Sequence, residues 1–300
     1  MTTVKFDNSP RKGWTLKLRD FWTLTKPEVN FLVLVSTLVG FYLGSTGPFH
    51  LVLLLSTLFG TLLVASGTGT LNQYIERSFD GQMRRTARRP IPAGRVSANE
   101  ALIFGLSLAA AGGLFLAVAV NILASVLALS TLGSYLIIYT PLKRHTPLCT
   151  WVGAIPGAMP PLIGWAAACG HLGLGAWVLY AMLFLWQFPH FMAIAWMYRE
   201  DYSRAGYQML PLSDRAGKTM AIQVLAFSIL LIPVSLIPSL MGQAGMIYTL
   251  GALILGSGLL YYGVRLAHQR SNSLARQLLM ASVVYLPMVF VLLMLDKVSS

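Results

Sequence analysis

Leu51-Val52-Leu53-Leu54-Leu55-Ser56-Thr57-Leu58-Phe59-Gly60-Thr61-Leu62-Leu63-Val64-Ala65-Ser66-Gly67-Thr68-Gly69-Thr70-Leu71 carries no charge and runs straight into Asn72-Gln73-Tyr74-Ile75-Glu76-Arg77-Ser78-Phe79-Asp80. About 20 apolar residues cross the hydrocarbon of a bilayer as a helix. The helix is expected to continue into the polar stretch. Asn72, Glu76 and Asp80 recur there every fourth residue, so they stack along one face with a slow drift. Asp80, at the helix end, is expected near water. Five arginines precede the next apolar run: Arg84, Arg85, Arg88, Arg89 and Arg95. Oxygen ligands on a helix end, then a basic loop, suit a magnesium diphosphate. Carboxylates hold the hard cation and guanidiniums hold the phosphate oxygens. The arginines alone would equally suit a solvated loop beside a membrane. The Asn/Glu/Asp face tips the reading toward a binding site.

The composition sets the class. Hydrophobic residues make up 56% of the 300 residues and charged residues 11%, against about 25% charged in soluble domains. Mean hydropathy is +0.66. These values describe an integral membrane protein, and its long apolar runs make it all-α. Cys149 and Cys169 lie in an apolar segment, match no metal spacing and imply no disulfide framework. Residues 1–26 are polar and lack the apolar core of a signal peptide. Their basic residues make a weak case for a mitochondrial transit peptide, and 1–27 reads instead as a short cytoplasmic arm.

Nine apolar runs follow, near 28–47, 50–72, 99–119, 122–140, 149–169, 174–197, 219–240, 244–264 and 277–296. They form one transmembrane domain over 28–296, with a short tail at 297–300. The N-terminal arm and the second, fourth, sixth and eighth loops hold 21 of the 22 Lys and Arg residues; only Lys297 falls on the other side. This alternation places the N-terminus and all even loops in the cytoplasm. It also explains the net charge of +12 without nucleic acid. The acids are lopsided too. Glu76 and Asp80 follow span two, while Glu200, Asp201 and Asp214 follow span six. Four spans separate the two sets, which hints at duplicated four-helix units. Two polar loops on one membrane face would then close over a shared cavity. No Asp, Glu, Lys or Arg lies at the middle of a span. This argues against an ion-coupled transporter, whose pathway is usually marked by such residues.

Other stretches have two readings each. Lys143 and Arg144, after Tyr139-Thr140-Pro141-Leu142, suit a snorkelling anchor or a phosphate contact. Span five carries Gly153, Pro156, Gly157, Pro160, Pro161 and Gly164, and its prolines kink the helix for packing or to shape a groove. His190, in Trp186-Gln187-Phe188-Pro189-His190-Phe191, is a packing residue or a substrate contact. Tyr198-Arg199-Glu200-Asp201-Tyr202 is a plain loop or the opposite wall of the site.

Asn72-x-x-x-Glu76-x-x-x-Asp80 followed by Met83-x-Arg85-Thr86-x-x-Arg89-Pro90 resembles the first signature of the UbiA-type intramembrane prenyltransferases. Leu142-Lys143-Arg144, Pro160-Pro161-Leu162-Ile163-Gly164, Trp186 to His190, and Tyr198 to Tyr202 running on to Met209-Leu210-Pro211 resemble the branch that farnesylates protohaem IX. The resemblance extends from Thr25-Lys26-Pro27 to at least Pro211. It implies nine helices around a central cavity. It also implies transfer of a farnesyl group from its diphosphate to a haem b vinyl group, with water completing a hydroxyethylfarnesyl side chain. By position it gives Asn72, Glu76 and Asp80 as magnesium and diphosphate ligands, with Asp201 at the second acidic motif. Arg85, Arg89, Lys143 and Arg144 become diphosphate-binding, and His190 the branch's histidine. Contact with haem A synthase or terminal-oxidase assembly in the inner membrane, bacterial rather than mitochondrial, would follow. The second motif has fewer aspartates than the wider family's, which leaves the number of metal ions open.

Two other functions fit parts of this sequence. A transporter of amphipathic anions would use the same basic mouth but break no bond. A prenyltransferase for a quinone or chlorophyll precursor would share the first signature, yet Glu76 and Phe188-Pro189-His190 favour haem. The charge alternation makes one prediction directly. A reporter fused after Ser300 will report the non-cytoplasmic side, and a cytoplasmic signal would overturn the orientation.

Overall fold

The computed structural model describes residues 10–210, 214 and 217–298, and every regular element in it is helical. These are α1 (Pro10–Leu24), α2 (Pro27–Gly44), α3 (Leu51–Asp80), α4 (Ala98–Ala119), α5 (Ile122–Gly133), a π-helical turn (Ser134–Tyr139), α6 (Thr140–Leu142), α7 (Cys149–Gly157), α8 (Pro160–Cys169), α9 (Leu174–Met197), α10 (Arg199–Arg204), α11 (Lys218–Leu240), α12 (Met246–Gln269) and α13 (Asn272–Leu295). Among the described residues nine helices are long and apolar enough to cross a membrane, with α5–α6 and α7–α8 each forming one crossing. The nine expected runs match these one for one. Within the N-terminal arm, Pro10–Leu24 is helical. Residues 1–9 of that arm, Pro211 of the Met209-Leu210-Pro211 motif and the last two residues of the tail lie outside the described residues.

Burial follows the solvent. Leu114, Val118, Ile137, Ile254 and Leu295 are exposed, as expected of helices whose outer faces meet lipid. Buried hydroxyls such as Thr57, Thr70 and Ser235 donate to the carbonyl four residues back, which satisfies them without water. Small residues let the backbones touch. A Cβ on Gly40 of α2 would collide with the Pro161 carbonyl, and one on Gly164 of α8 with the Thr37 carbonyl. Such close approach drives helix association where lipid removes the hydrophobic drive.

Three departures from regular helix shape the interior. α3, at 30 residues, is about 45 Å long, more than the roughly 30 Å hydrocarbon. Its last turns therefore carry Asn72, Glu76 and Asp80 to the membrane edge. The fifth span breaks at Ala158-Met159 between α7 and α8, because Pro156, Pro160 and Pro161 remove three backbone donors within two turns. The fourth span passes through the π-helical turn before α6, a feature common at functional sites. At the far end of the bundle Lys297 donates to the Tyr42 and Ser45 carbonyls at 3.0 and 3.2 Å. The one base outside the alternating loops thus caps the C-terminus of α2.

The glycine contacts give a paired test. Gly164→Val should lower thermal stability in detergent by at least the 1–3 kcal/mol of an overpacked core. Gly258→Ala, with nothing within 4 Å of the added carbon, should leave it near wild type. Equal melting of the two would refute the backbone contact.

Candidate active site

The oxygen face of α3 is held by three cations from three separate segments. Lys26 Nζ donates to Asn72 Oδ1 at 2.6 Å. Lys143 Nζ, just past α6, pairs with Glu76 Oε1 at 2.8 Å. Arg89 Nη1 bridges both Asp80 oxygens at 2.8 and 2.7 Å. Asn72, Glu76 and Asp80 are all buried. The expectation that Asp80 lies near water is therefore wrong: the chain after α3 folds back over it, and the Thr86 hydroxyl bonds its carbonyl at 2.8 Å.

Lys26 went unassigned from sequence, where a lysine before the first span looks like an interface anchor. Its backbone is left-handed, with φ 54° and ψ 62°, a conformation that persists in a non-glycine residue only when its surroundings impose it. Here Asn30 Nδ2 bonds the Thr25 carbonyl at 2.9 Å, and Gln73 Nε2 bonds the Leu24 carbonyl at 2.9 Å. These bonds pin the α1–α2 junction to α3 and aim the lysine inward. Burial, with Arg89 adding to it, lowers the Lys26 pKa to about 7. Burial also works against the charge on Lys143, but Tyr139 and Glu76 more than offset it and raise that pKa well above the usual lysine value.

The basic stretch is a series of turns over 81–95, not a helix, so Arg85 and Arg89 do not share a helical face. Arg89 turns back to Asp80. Arg85 crosses to the other loop, where its Nη2 meets the Tyr202 hydroxyl at 3.2 Å and its guanidinium lies 4.7 Å from the Tyr198 ring centre. The two polar loops thus meet, as their charges suggested. Asp201 makes the joint. Its Oδ2 accepts from the Arg85 backbone N–H at 3.3 Å and its Oδ1 pairs with Arg204 at 3.0 Å. Asp201, expected as a metal ligand, joins the two loops and is not among the residues that line the cavity. Glu200 is exposed. Arg144 also falls outside the cavity lining and lies over the Phe79 ring at 4.3 Å.

Behind this mouth lies a cavity of about 550 Å³. Lys26, Asn72, Glu76, Asp80, Arg85, Arg89 and Lys143 line its polar part, with Tyr139, Tyr202 and Tyr207 beside them. Burial, reinforced by the charge of Glu76, raises the Tyr207 pKa, so its hydroxyl stays protonated. Val33, Val64, Ile163 and Leu183 make apolar wall, and Trp186, His190 and Phe191 of α9 make an aromatic one. The broken fifth span adds Gly153, Pro156, Gly157 and Pro160 to the lining, so its prolines do shape the groove. Among the described residues no three His, Cys, Asp or Glu side chains cluster as a self-sufficient metal site.

The sequence profile of the UbiA prenyltransferase family matches residues 33–286. The chain belongs to this family. Protoheme IX farnesyltransferase of Solibacter usitatus is 50% identical over 289 residues, spanning 93% of this chain and 99% of that one. Among solved structures the UbiA fold recurs at low identity. A digeranylgeranylglyceryl phosphate synthase has a TM-score of 0.77 at 17% identity, over 93% of this chain and 98% of that one. A UbiA homologue from Archaeoglobus fulgidus bound to DMAPP and Mg2+ has a TM-score of 0.64 at 16% identity, over 91% and 99%.

The Asp80–Arg89 pair makes a prediction for this UbiA site. Asp80→Ala should destabilise the ligand-free protein as well as stop turnover, because it strands a guanidinium that is only 27% exposed. The cost should be about 2–3 kcal/mol, the low end for breaking a buried pair. A double-mutant cycle with Arg89→Ala, read by thermal unfolding in detergent, should recover most of it. Strict additivity would show that the pair carries no coupling.

Proposed function

We propose that this chain transfers the farnesyl group of farnesyl diphosphate to a vinyl group of haem b, giving haem O and diphosphate. The observation that carries this reading is a single cavity with a cation-rich mouth over the Asn72/Glu76/Asp80 face and an aromatic wall behind it. The 50% identical relative bears the name of this activity.

Asn72, Glu76 and Asp80 fit a magnesium ion. They offer only hard oxygens, lie on one helix face and already attract a cation each. Two carboxylates suffice, since magnesium keeps waters and takes substrate phosphates as further ligands. When bound it supplies positive charge against the diphosphate that departs. Lys26, Lys143 and Arg89 are the protein's own cations at that place, and a donor fixed where charge develops is worth more than one in water. Arg85, held by Tyr198 and Tyr202, closes the loops over the mouth. The apolar wall takes the isoprenoid and keeps water from the allylic cation. The farnesyl carbon–oxygen bond breaks and a carbon–carbon bond forms to the vinyl terminus. Water then adds its hydroxyl to the other vinyl carbon and releases a proton. Haem, flat and apolar with carboxylate edges, meets the Trp186/His190 wall.

We read the basic mouth as facing the cytoplasm of a bacterial cell, because 21 of 22 bases lie on that side. The product is more apolar than its precursor and stays in the bilayer. Lateral transfer to haem A synthase or to terminal-oxidase assembly suits it better than release to water.

The test is direct. Purified protein with haem b, farnesyl diphosphate and magnesium should yield farnesylated haem by mass. Absence of that product beside an active control would end the reading. In the same assay Arg89→Lys should lose roughly a hundredfold in rate, because an ammonium keeps the charge but not the planar fork.

A further inference from the structure

His190 and Ser282 meet across the interface of α9 and α13, with His190 Nδ1 2.9 Å from Ser282 Oγ. Either atom could donate in isolation. The Ser282 hydroxyl also lies 2.6 Å from the Leu279 carbonyl oxygen. Two oxygens that close need a proton between them, and a serine hydroxyl has one to give. Ser282 therefore donates to Leu279, and its lone pair accepts from His190. The imidazole carries its proton on Nδ1. Its other nitrogen, Nε2, is left with a bare lone pair and has no hydrogen-bond partner among the described residues.

The ring is fixed as well as its tautomer. Trp186, one turn earlier on α9, stacks on His190 with centroids 4.6 Å apart. The Trp186 indole N–H donates to the Ser282 backbone carbonyl at 2.8 Å. One fully buried serine thus holds both members of the pair, and both line the cavity. A neutral imidazole with one N–H committed to an oxygen and the other nitrogen open is how proteins present a nitrogen ligand to a metal. Among the described residues no titratable side chain shares a hydrogen bond with His190, so none takes that lone pair.

We propose that His190 Nε2 coordinates the iron of the haem substrate, and that Ser282 is the positioning residue that holds His190 in the required tautomer. This rests on the haem-farnesylating reading above. Ligation by one axial imidazole would orient the porphyrin against the Trp186 wall. It asks nothing of the diphosphate mouth.

The experiment measures binding of two porphyrins to the purified protein, haem b and iron-free protoporphyrin IX, beside turnover by the wild type. Wild type should show an iron–imidazole stretch by resonance Raman, and His190→Ala should lose it. His190→Ala should weaken haem b at least tenfold yet leave protoporphyrin IX unchanged. Added imidazole should restore the signal. Ser282→Ala should weaken haem b by about tenfold, the usual cost of losing a ligand's hydrogen-bond partner, again without touching protoporphyrin IX. Equal loss of both porphyrins would mean His190 only shapes the cavity, and the proposal falls. So it does if wild type makes farnesylated haem while its spectrum matches that of His190→Ala; the farnesylation reading then stands. Failure of wild type to bind or convert haem removes both.

Discussion

Everything at the mouth depends on how the buried oxygens of α3 are neutralised. A carboxylate taken out of water without a partner costs several kcal/mol. Glu76 and Asp80 would also repel each other across one helix face. Lys143 and Arg89 answer this directly, and Lys26 does the same for the Asn72 amide oxygen with a charge-assisted bond. Each cation comes from a different connection: the junction before α2, the loop after α3 and the loop after α6. Three points far apart in sequence are thereby tied to one helix end. The strained backbone at Lys26 is one consequence, since Asn30 and Gln73 hold the junction in the conformation that delivers the amine.

The class and the topology were legible because a bilayer leaves few choices. Uncharged runs of about 20 residues have nowhere else to go, and α3 could be read through to Asp80 because no proline or glycine interrupts Leu71 to Asp80. The fourfold spacing of Asn72, Glu76 and Asp80 likewise survives into the structure. What the sequence hides is where a long side chain in a turn will point. Arg85 and Arg89 are separated like helix neighbours, yet the turns send one to Tyr202 and the other to Asp80. Asp201 looks like a ligand from its motif. Only the fold reveals Arg204 on one oxygen and the Arg85 amide on the other. Lys26 had a signal in Thr25-Lys26-Pro27, but a lysine at a membrane edge is ordinary. Ser282 had none, because a serine inside an apolar span usually bonds only its own helix.

The aromatic wall is built on a different principle from the mouth. It holds no fixed charge, and its precision comes from neutral hydrogen bonds in a medium without water to compete for them. Trp186 and His190 need partners across a helix interface because α9 cannot supply them from its own backbone. Ser282 meets both needs from one position on α13. Long-range charge would be a poor tool here, since haem brings its own charges at both the iron and the carboxylate edge.

Charge balance links the mouth to the order of events under the proposed chemistry. The ligand-free mouth sets Glu76 and Asp80 against Lys26, Lys143, Arg85 and Arg89, a net positive charge. A prenyl diphosphate brings about three negative charges, counting ionised phosphate oxygens, and magnesium two positive ones. Magnesium alone would leave the buried mouth strongly positive, and diphosphate alone would leave it negative. Together they bring it close to neutrality. In a medium of low dielectric the unbalanced states are the costly ones, so the two are best accommodated as a pair. The same balance is lost when the farnesyl carbon departs and leaves an extra negative charge on the diphosphate. That is the moment when Arg89 and Lys143 contribute most, because their charges then meet an anion that did not exist in the ground state.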